Sequence, residues 1–216
     1  MKPTGSNYLY HMTDKDNRQI RSRTSGRHFL RKHGFSLLMG LIIVVLFVSP
    51  EAKSWTIQQL MRTGLYNAGI EKEEAVLPQL ETELVFEDEK GNIRNTSSLL
   101  GKVVFINFWA SWCPPCRAEF PSIETLYAKF KADPNVFFLM INEDDDWAAG
   151  REYLQKKGYI TPMFKTRSQV PANIFSGTLP TTLVVDKNGK VVFRHEGFAN
   201  YASENFVSQI QALIKN

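Results

Sequence analysis

Cysteine is scarce in this sequence: of its 216 residues, only Cys113 and Cys116 are cysteines, and two residues separate them. A structural disulfide framework uses several cysteine pairs spread along a short chain, so that class of protein is excluded. A zinc site needs four ligands, and no second ligand pair accompanies these two cysteines. We therefore expect no metal site and assign the function to the pair itself.

Excess positive charge is lacking in most of the chain, although the formal net charge is +4. Residues 1–34 carry eight Lys/Arg against two Asp, whereas residues 83–216 carry fifteen basic and fifteen acidic side chains. The basic character therefore belongs to a short N-terminal tail. Because the rest of the chain has no net attraction for a polyanion, we expect no nucleic-acid partner.

Long apolar runs are limited to residues 35–48, FSLLMGLIIVVLFV. Fourteen helical residues rise about 21 Å, short of the roughly 30 Å hydrocarbon core of a membrane. The length suits the hydrophobic region of a signal peptide, and flanking residues would also allow an uncleaved anchor. In both cases the basic flank stays in the cytoplasm and the C-terminal part leaves it.

The unusually long basic tail, with no clean small-residue cleavage site directly after the apolar run, favours the anchor. We therefore predict a single-pass protein of the cytoplasmic membrane with a periplasmic C-terminal domain; a cleaved, secreted form is the alternative. The predicted organisation is a basic cytoplasmic tail (1–34), a membrane anchor or signal region (35–50), a linker with an amphipathic helix (51–82) and a folded domain (83–216).

Apolar periodicity predicts the folded domain. Residues 103–108 and 136–141 are almost continuously apolar, which is typical of strands covered on both faces. Between them, apolar residues recur at helical spacing over 114–130, and a strand–helix–strand unit of this kind makes its two strands parallel. The other predicted elements are a strand at 84–86, a helical turn at 96–100, a helix at 147–157 preceded by capping residues Asp144 to Asp146, a hairpin of strands 181–186 and 191–195, and a last helix at 203–214. The order predicts an α/β fold with a mixed central β-sheet and helices on both faces.

The cysteine pair lies where the strand at 103–108 gives way to the helix at 114–130. Free N–H groups and the positive end of the helix dipole favour a thiolate at Cys113, and the thiolate is the attacking species in disulfide exchange. Cys116 is one turn further on, on the same helical face, and suits the resolving role. A passive disulfide is the alternative, although so short a loop constrains the unfolded chain little.

Residues 101–121, GKVVFINFWASWCPPCRAEFP, resemble the active-site segment of the thioredoxin-like family, and more narrowly its membrane-associated bacterial TlpA/ResA type. The segments WCPPC, EFP and LPTT (179–182) carry the resemblance, which covers roughly residues 83–216. It implies a thioredoxin-like fold, and the apolar run at 35–48 predicts an N-terminal hydrophobic helix before it. It also implies a protein-disulfide oxidoreductase that uses the Cys113–Cys116 disulfide and needs no bound cofactor.

The resemblance further implies a substrate-binding surface around the pair. A cis peptide at Leu179–Pro180 would face the cysteines and let the Leu179 backbone pair with an extended partner peptide. From the residues alone, an ordinary trans proline is the more common case. Trp112, Pro114 and Pro115 would complete this surface.

Glu119 is the candidate proton acceptor, since the resemblance places a functional acid at this position. A carboxylate near a buried thiol would raise the pKa of the thiol and could accept its proton. A solvated glutamate in the first turn of a helix is the alternative. Cytosolic thioredoxins carry an acid on the strand before the motif, but the matching residue here is Asn107.

We therefore predict a reductant of protein disulfides outside the cytoplasm. Such a reductant needs a supply of electrons, and the resemblance implies a membrane thiol-electron donor. The implied substrates are protein thiols and disulfides, such as the haem-site cysteines of apocytochrome c or copper-site cysteines of oxidase assembly proteins. The alternatives are a thiol peroxidase, a non-enzymatic copper carrier, and an assembly module in which the cysteines only staple a helix.

Overall fold

The computed structural model describes residues 34–46, 48–64, 66–70 and 83–215, which form two units divided between Ser49 and Pro50. The predicted basic tail up to residue 33, and residues 65 and 71–82 of the predicted linker, lie outside the described residues. Helix α1 (Gly34–Leu46) lies in the first unit, and helix α2 (Pro50–Met61) opens the second. Within the described ranges, no single helix is long and apolar enough to cross a membrane; α1 and α2, taken together across the break between them, reach that length and hydropathy.

Seven strands form one mixed β-sheet in the second unit. They are β1 (Val85–Asp88), β2 (Ile93–Asn95), β3 (Val103–Trp109), β4 (Val136–Asn142), β5 (Phe164–Thr166), β6 (Thr181–Val185) and β7 (Val191–Glu196). In space their order is β2-β1-β5-β4-β3-β6-β7. Strands β3 and β4 are parallel, as predicted; β6 pairs antiparallel with β3, and β7 pairs antiparallel with β6. The two short strands β2 and β5 were not predicted.

Helices cover the two faces of the sheet unequally. Helices α3 (Pro114–Phe130), α4 (Trp147–Lys157) and α5 (Glu204–Lys215) contribute to one apolar cluster, which includes both cysteines. A 3-10 helix (Thr96–Leu99) and the segment around Ile174 cover the other cluster. Every residue of the central strand β3 is buried, which agrees with its unbroken apolar sequence. The mixed sheet with helices on both faces therefore has the predicted arrangement.

Helix α2 packs on α3 within the second unit. The Ser54 hydroxyl donates to the Pro114 carbonyl oxygen at 2.9 Å, and Gln58 Nε2 donates to the Arg117 carbonyl oxygen at 3.3 Å. The Arg117 guanidinium pairs with Glu51 at 2.8 Å. The sequence predicted an amphipathic helix within the linker (51–82). Instead it begins at Pro50, and its contacts tie it to the helix that carries the cysteines.

We expect Phe105→Ala to lower the free energy of unfolding by about 3–5 kcal/mol, the range for large aromatic truncations in a core. Phe105 is fully buried on β3, and its ring lies 5.3 Å from the rings of both Phe138 and Tyr201. Urea denaturation would measure the change. The matched control is Ile93→Ala, because Ile93 is 64% exposed and should change the value by no more than about 0.5 kcal/mol. Equal effects for the two variants would contradict this account of the core.

Candidate redox site

Cys113 and Cys116 are joined by a disulfide at the start of α3. Strand β3 ends at Trp109, and a turn closed by a hydrogen bond from the Cys113 N–H to the Ala110 carbonyl oxygen (3.2 Å) follows. Cys113 is the N-cap of α3, and its sulfur accepts the Cys116 N–H at 3.3 Å. The predicted strand–turn–helix placement of the pair is therefore what the structure has.

The electrostatics of this helix terminus favour negative charge on Cys113. Its sulfur occupies the position where a capping oxygen would normally accept a free N–H of the first turn. In the reduced protein the same N–H and the helix dipole would stabilise a thiolate there. Both residues are nearly buried, with 3% of Cys113 and none of Cys116 exposed. Of the two, Cys113 is therefore the one that a partner sulfur can reach.

The residues flanking the pair divide into surface and core. Trp112 is 63% exposed beside Cys113, and Pro114 and Pro115 are half-buried at the start of α3. Trp109 is fully buried and meets Phe120 edge-on, with ring centroids 4.6 Å apart. Three of the predicted substrate-binding residues thus lie on one accessible edge around Cys113.

The Leu179–Pro180 peptide is cis, as the resemblance implies. Pro180 is buried directly before β6, and its carbonyl oxygen accepts the Gly197 N–H at 2.8 Å. Leu179 is half-buried and packs against the apolar cluster that contains both cysteines. Leu179 also packs against the second apolar cluster, so the proline loop adjoins both.

Glu119 is fully buried on α3, so it is not a solvated surface glutamate. Asn107 Nδ2 donates to Glu119 Oε1 at 2.8 Å, and the Ala199 N–H donates to Oε2 at 3.3 Å. Burial raises the pKa of the Glu119 carboxyl to about 8, although both hydrogen bonds act in the opposite direction. The side chain can therefore hold or release a proton near neutral pH, which is what a proton acceptor for a buried thiol requires.

Glu119 belongs to a cluster of buried polar side chains, with Asn107, Thr182 and Tyr201, that the sequence did not predict. Asn107 Nδ2 also donates to Thr182 Oγ1 at 2.9 Å, across the antiparallel pair β3 and β6. The Tyr201 hydroxyl is buried without a hydrogen bond of standard geometry among the described residues, yet Thr182 and the Glu119 carboxyl both lie near enough to affect its pKa. Burial raises the pKa of Tyr201 well above its ordinary value. The one sequence signal for this cluster is Asn107, a polar residue inside a strand that is predicted to be buried on both faces.

Arg117 and His195 each have contacts of their own with neighbouring side chains. The Arg117 guanidinium pairs with Glu51 and lies 5.1 Å from the centre of the Tyr153 ring, so its charge is directed toward those partners. His195 is half-buried on β7 and stacks beside Phe193, with ring centroids 6.2 Å apart. The packing of His195 agrees with a structural role.

Known proteins with similar sequences and structures are thiol–disulfide enzymes. The thiol-disulfide oxidoreductase ResA of Geobacillus kaustophilus is 34% identical over 110 residues, which cover 50% of this chain and 63% of that protein. ResA of Bacillus subtilis is 33% identical over 130 residues, which cover 59% of this chain and 72% of that protein. A thiol:disulfide interchange protein of the thioredoxin family from Chlorobium tepidum superposes with a TM-score of 0.50 at 25% identity, covering 63% of this chain and 97% of that one.

These similarities confirm the thioredoxin-like fold and the thiol–disulfide oxidoreductase activity that the sequence predicts. The family model described as Redoxin matches residues 74–210, which include the cysteine pair, Glu119 and the cis proline. The chain therefore belongs to the Redoxin family.

Proposed function

We propose that this protein reduces disulfides of other proteins on the outer side of the cytoplasmic membrane, with the Cys113–Cys116 pair as its only redox group. The observation that carries the proposal is the position of Cys113 as the N-cap of α3, where its sulfur accepts the Cys116 N–H. A sulfur in that position is favoured as a thiolate, and its bonding partner is already within reach. Neither a bound cofactor nor a metal is needed for this chemistry.

The exchange moves two electrons from the protein to its partner. The Cys113 thiolate attacks one sulfur of a partner disulfide, which forms a mixed disulfide and releases a partner thiolate that takes up a proton. The Cys116 thiol then loses its proton and attacks the Cys113 sulfur. This step forms the Cys113–Cys116 disulfide and releases the second partner sulfur as a thiolate, which takes up a proton. Glu119, one turn after Cys116 on the same helix, is the proposed acceptor of the Cys116 proton.

The partner would dock on the edge formed by Trp112, the two prolines of the motif and the Leu179–Pro180 loop. An extended peptide can pair with the backbone of Leu179, because that residue precedes the cis proline and the buried strand β6. The exposed Trp112 indole offers a large apolar contact beside the sulfur. Cysteine-containing segments of apocytochrome c or of oxidase assembly proteins are the proposed substrates.

The membrane location rests on the N-terminal sequence and on α1. This helix leaves large apolar side chains exposed, such as Phe35 at 77% and Leu41 at 61%. A helix that is apolar all round is stable only where it is covered by lipid or protein. An oxidising compartment would soon leave the pair as a disulfide, so we also propose a membrane protein that passes electrons to it as thiols.

The redox state of the pair in intact cells tests the direction of exchange. We expect mostly dithiol, because a reductant is kept reduced by its donor, and rapid acid quenching followed by alkylation of free thiols would measure it. The alkylating reagent adds mass to each free thiol, so the two states separate by electrophoresis. The Cys113→Ser/Cys116→Ser variant shows the mobility of protein without reactive thiols. A pair found mostly as disulfide would make the protein an oxidant and overturn the proposal.

A further inference from the structure

A carboxylate is buried directly behind the turn that leads to Cys113. Asp144 follows β4 and is 4% exposed. The Ser111 N–H lies 3.0 and 3.1 Å from its two oxygens, and the Ser111 hydroxyl donates to Oδ1 at 3.0 Å. Asn142 Nδ2 donates to Oδ2 at 2.7 Å. Both carboxylate oxygens therefore accept hydrogen bonds, and Asp144 is held in place by Ser111 and Asn142.

The main chain ties the same turn to the end of β4. The Glu143 N–H donates to the Trp109 carbonyl oxygen at 2.8 Å, and the Cys113 N–H closes the turn on Ala110. Ser111 stands two residues before Cys113. The segment 142–144 therefore fixes the backbone from which the attacking sulfur projects.

Helix α4 packs closely against Asn142 at Gly150. A Cβ atom added at Gly150 would lie 2.7 Å from Asn142 Nδ2 and 2.9 Å from Met163 Sδ, closer than real Cβ contacts. Only glycine lets α4 approach Asn142 this closely. Asn142, which donates to Asp144, thus has little freedom to move.

We propose that Asp144 is a positioning residue of the redox site, which holds the turn at 110–112 through Ser111 and disfavours the thiolate of Cys113 by its negative charge. Asp144 is bonded to Ser111, two residues before Cys113, and like charges repel more strongly in a buried environment than in water, so the thiolate of the reduced form is destabilised. A less stable thiolate lowers the reduction potential of the pair. The inference deepens the proposed function, because a low reduction potential is what a reductant of protein disulfides needs.

Other charged groups near the turn have partners of their own. Lys165 on β5 donates to the carbonyl oxygens of Asp144 and Asp145 at 2.9 and 3.4 Å. Glu143 is half-buried, and burial raises the pKa of its carboxyl, while Lys165 lowers it. On α3, Arg117 pairs with Glu51, and Glu119 bonds to Asn107. A test on Asp144 has to leave all of these groups in place.

The test compares Asp144→Asn with Asp145→Asn in the full chain. The first substitution keeps the size of the side chain but removes its charge, whereas Asp145 is an exposed neighbour with the same charge change. In a glutathione buffer, we expect Asp144→Asn to change the equilibrium constant between disulfide and dithiol by about threefold or more, in favour of the dithiol. Alkylation of Cys113 should then reach its half-maximal rate at a lower pH. Asp145→Asn should change neither quantity measurably.

Ser111→Ala separates positioning from charge. It removes the hydroxyl donor but keeps the Asp144 charge and the Ser111 main-chain bond, so it should slow exchange without moving the alkylation midpoint. Unchanged values for both Asp144→Asn and Ser111→Ala, or equal shifts for Asp144→Asn and Asp145→Asn, would overturn the inference. These comparisons are made on purified protein and are valid for either direction of exchange, so their failure is distinct from failure of the proposed function.

Discussion

The Cys116→Ser protein is expected to accumulate mixed disulfides with its partners, and the Cys113→Ser protein to accumulate none. Cys113 is the N-cap sulfur with residual exposure, so it makes the first bond to the partner. Without the Cys116 sulfur, no group displaces the partner from that bond. Non-reducing electrophoresis after acid quenching and alkylation would reveal the trapped species. Turnover of a disulfide substrate should be abolished in both variants.

Both cysteine variants should remain folded, which makes the comparison interpretable. In the chain-entropy description, so short a disulfide loop contributes only about 2 kcal/mol to the free energy of unfolding. Each variant should lose about that amount relative to the oxidised protein, and the two should be alike. Equal trapping by both variants, or trapping by neither, would show that the attacking and resolving roles are assigned wrongly.

The sequence was sufficient for the elements that are long and strongly patterned. Strand β3 is apolar without interruption and proves to be buried at every residue, with neighbours on both sides. The change to helical spacing after Cys113 predicted α3 from its first residue. The redox pair was predictable for the same reason, since a strand end and a helix start fix its place on the chain.

Short edge elements could not be predicted in this way. Strands β2 and β5 have three residues each, IRN and FKT, which is too short for a periodic signal. They are strands because β1 pairs with both of them, so their structure depends on tertiary contacts. The start of α2 at Pro50 was missed because its contacts with α3 are also distant in sequence.

The burial of single acidic side chains was likewise invisible in the sequence. Asp144 to Asp146 were expected to cap α4, but only Asp146 does so, with Oδ1 accepting the Ala148 N–H at 2.9 Å. Asp144 instead turns toward Ser111. Glu119 was equally compatible with a surface and a buried position. Its burial depends on Ala199, which is eighty residues away along the chain.

Replacing Glu119 by Gln should remove most of the pH dependence of stability between about pH 4.5 and 8. The pKa of the buried Glu119 carboxyl is about 8, against an ordinary value of 4.5, so in this range the folded protein holds a proton that the unfolded chain has lost. The corresponding stabilisation is complete below pH 4.5 and is lost as pH rises through 8. It is on the order of 5 kcal/mol over that range. Urea denaturation at several pH values would measure the slope in both proteins.

The same substitution should slow the resolving step by roughly 10²-fold, because Gln cannot accept the Cys116 proton. The wild-type rate should change with an apparent pKa near that of the Glu119 carboxyl, and the Gln variant should lack this step in its pH profile. Glu152→Gln is the matched control, since Glu152 is exposed on α4. If wild type and Glu119→Gln had the same profile and the same slope of stability with pH, Glu119 would serve only in packing. The buried group formed with Asn107 would then have no part in proton transfer.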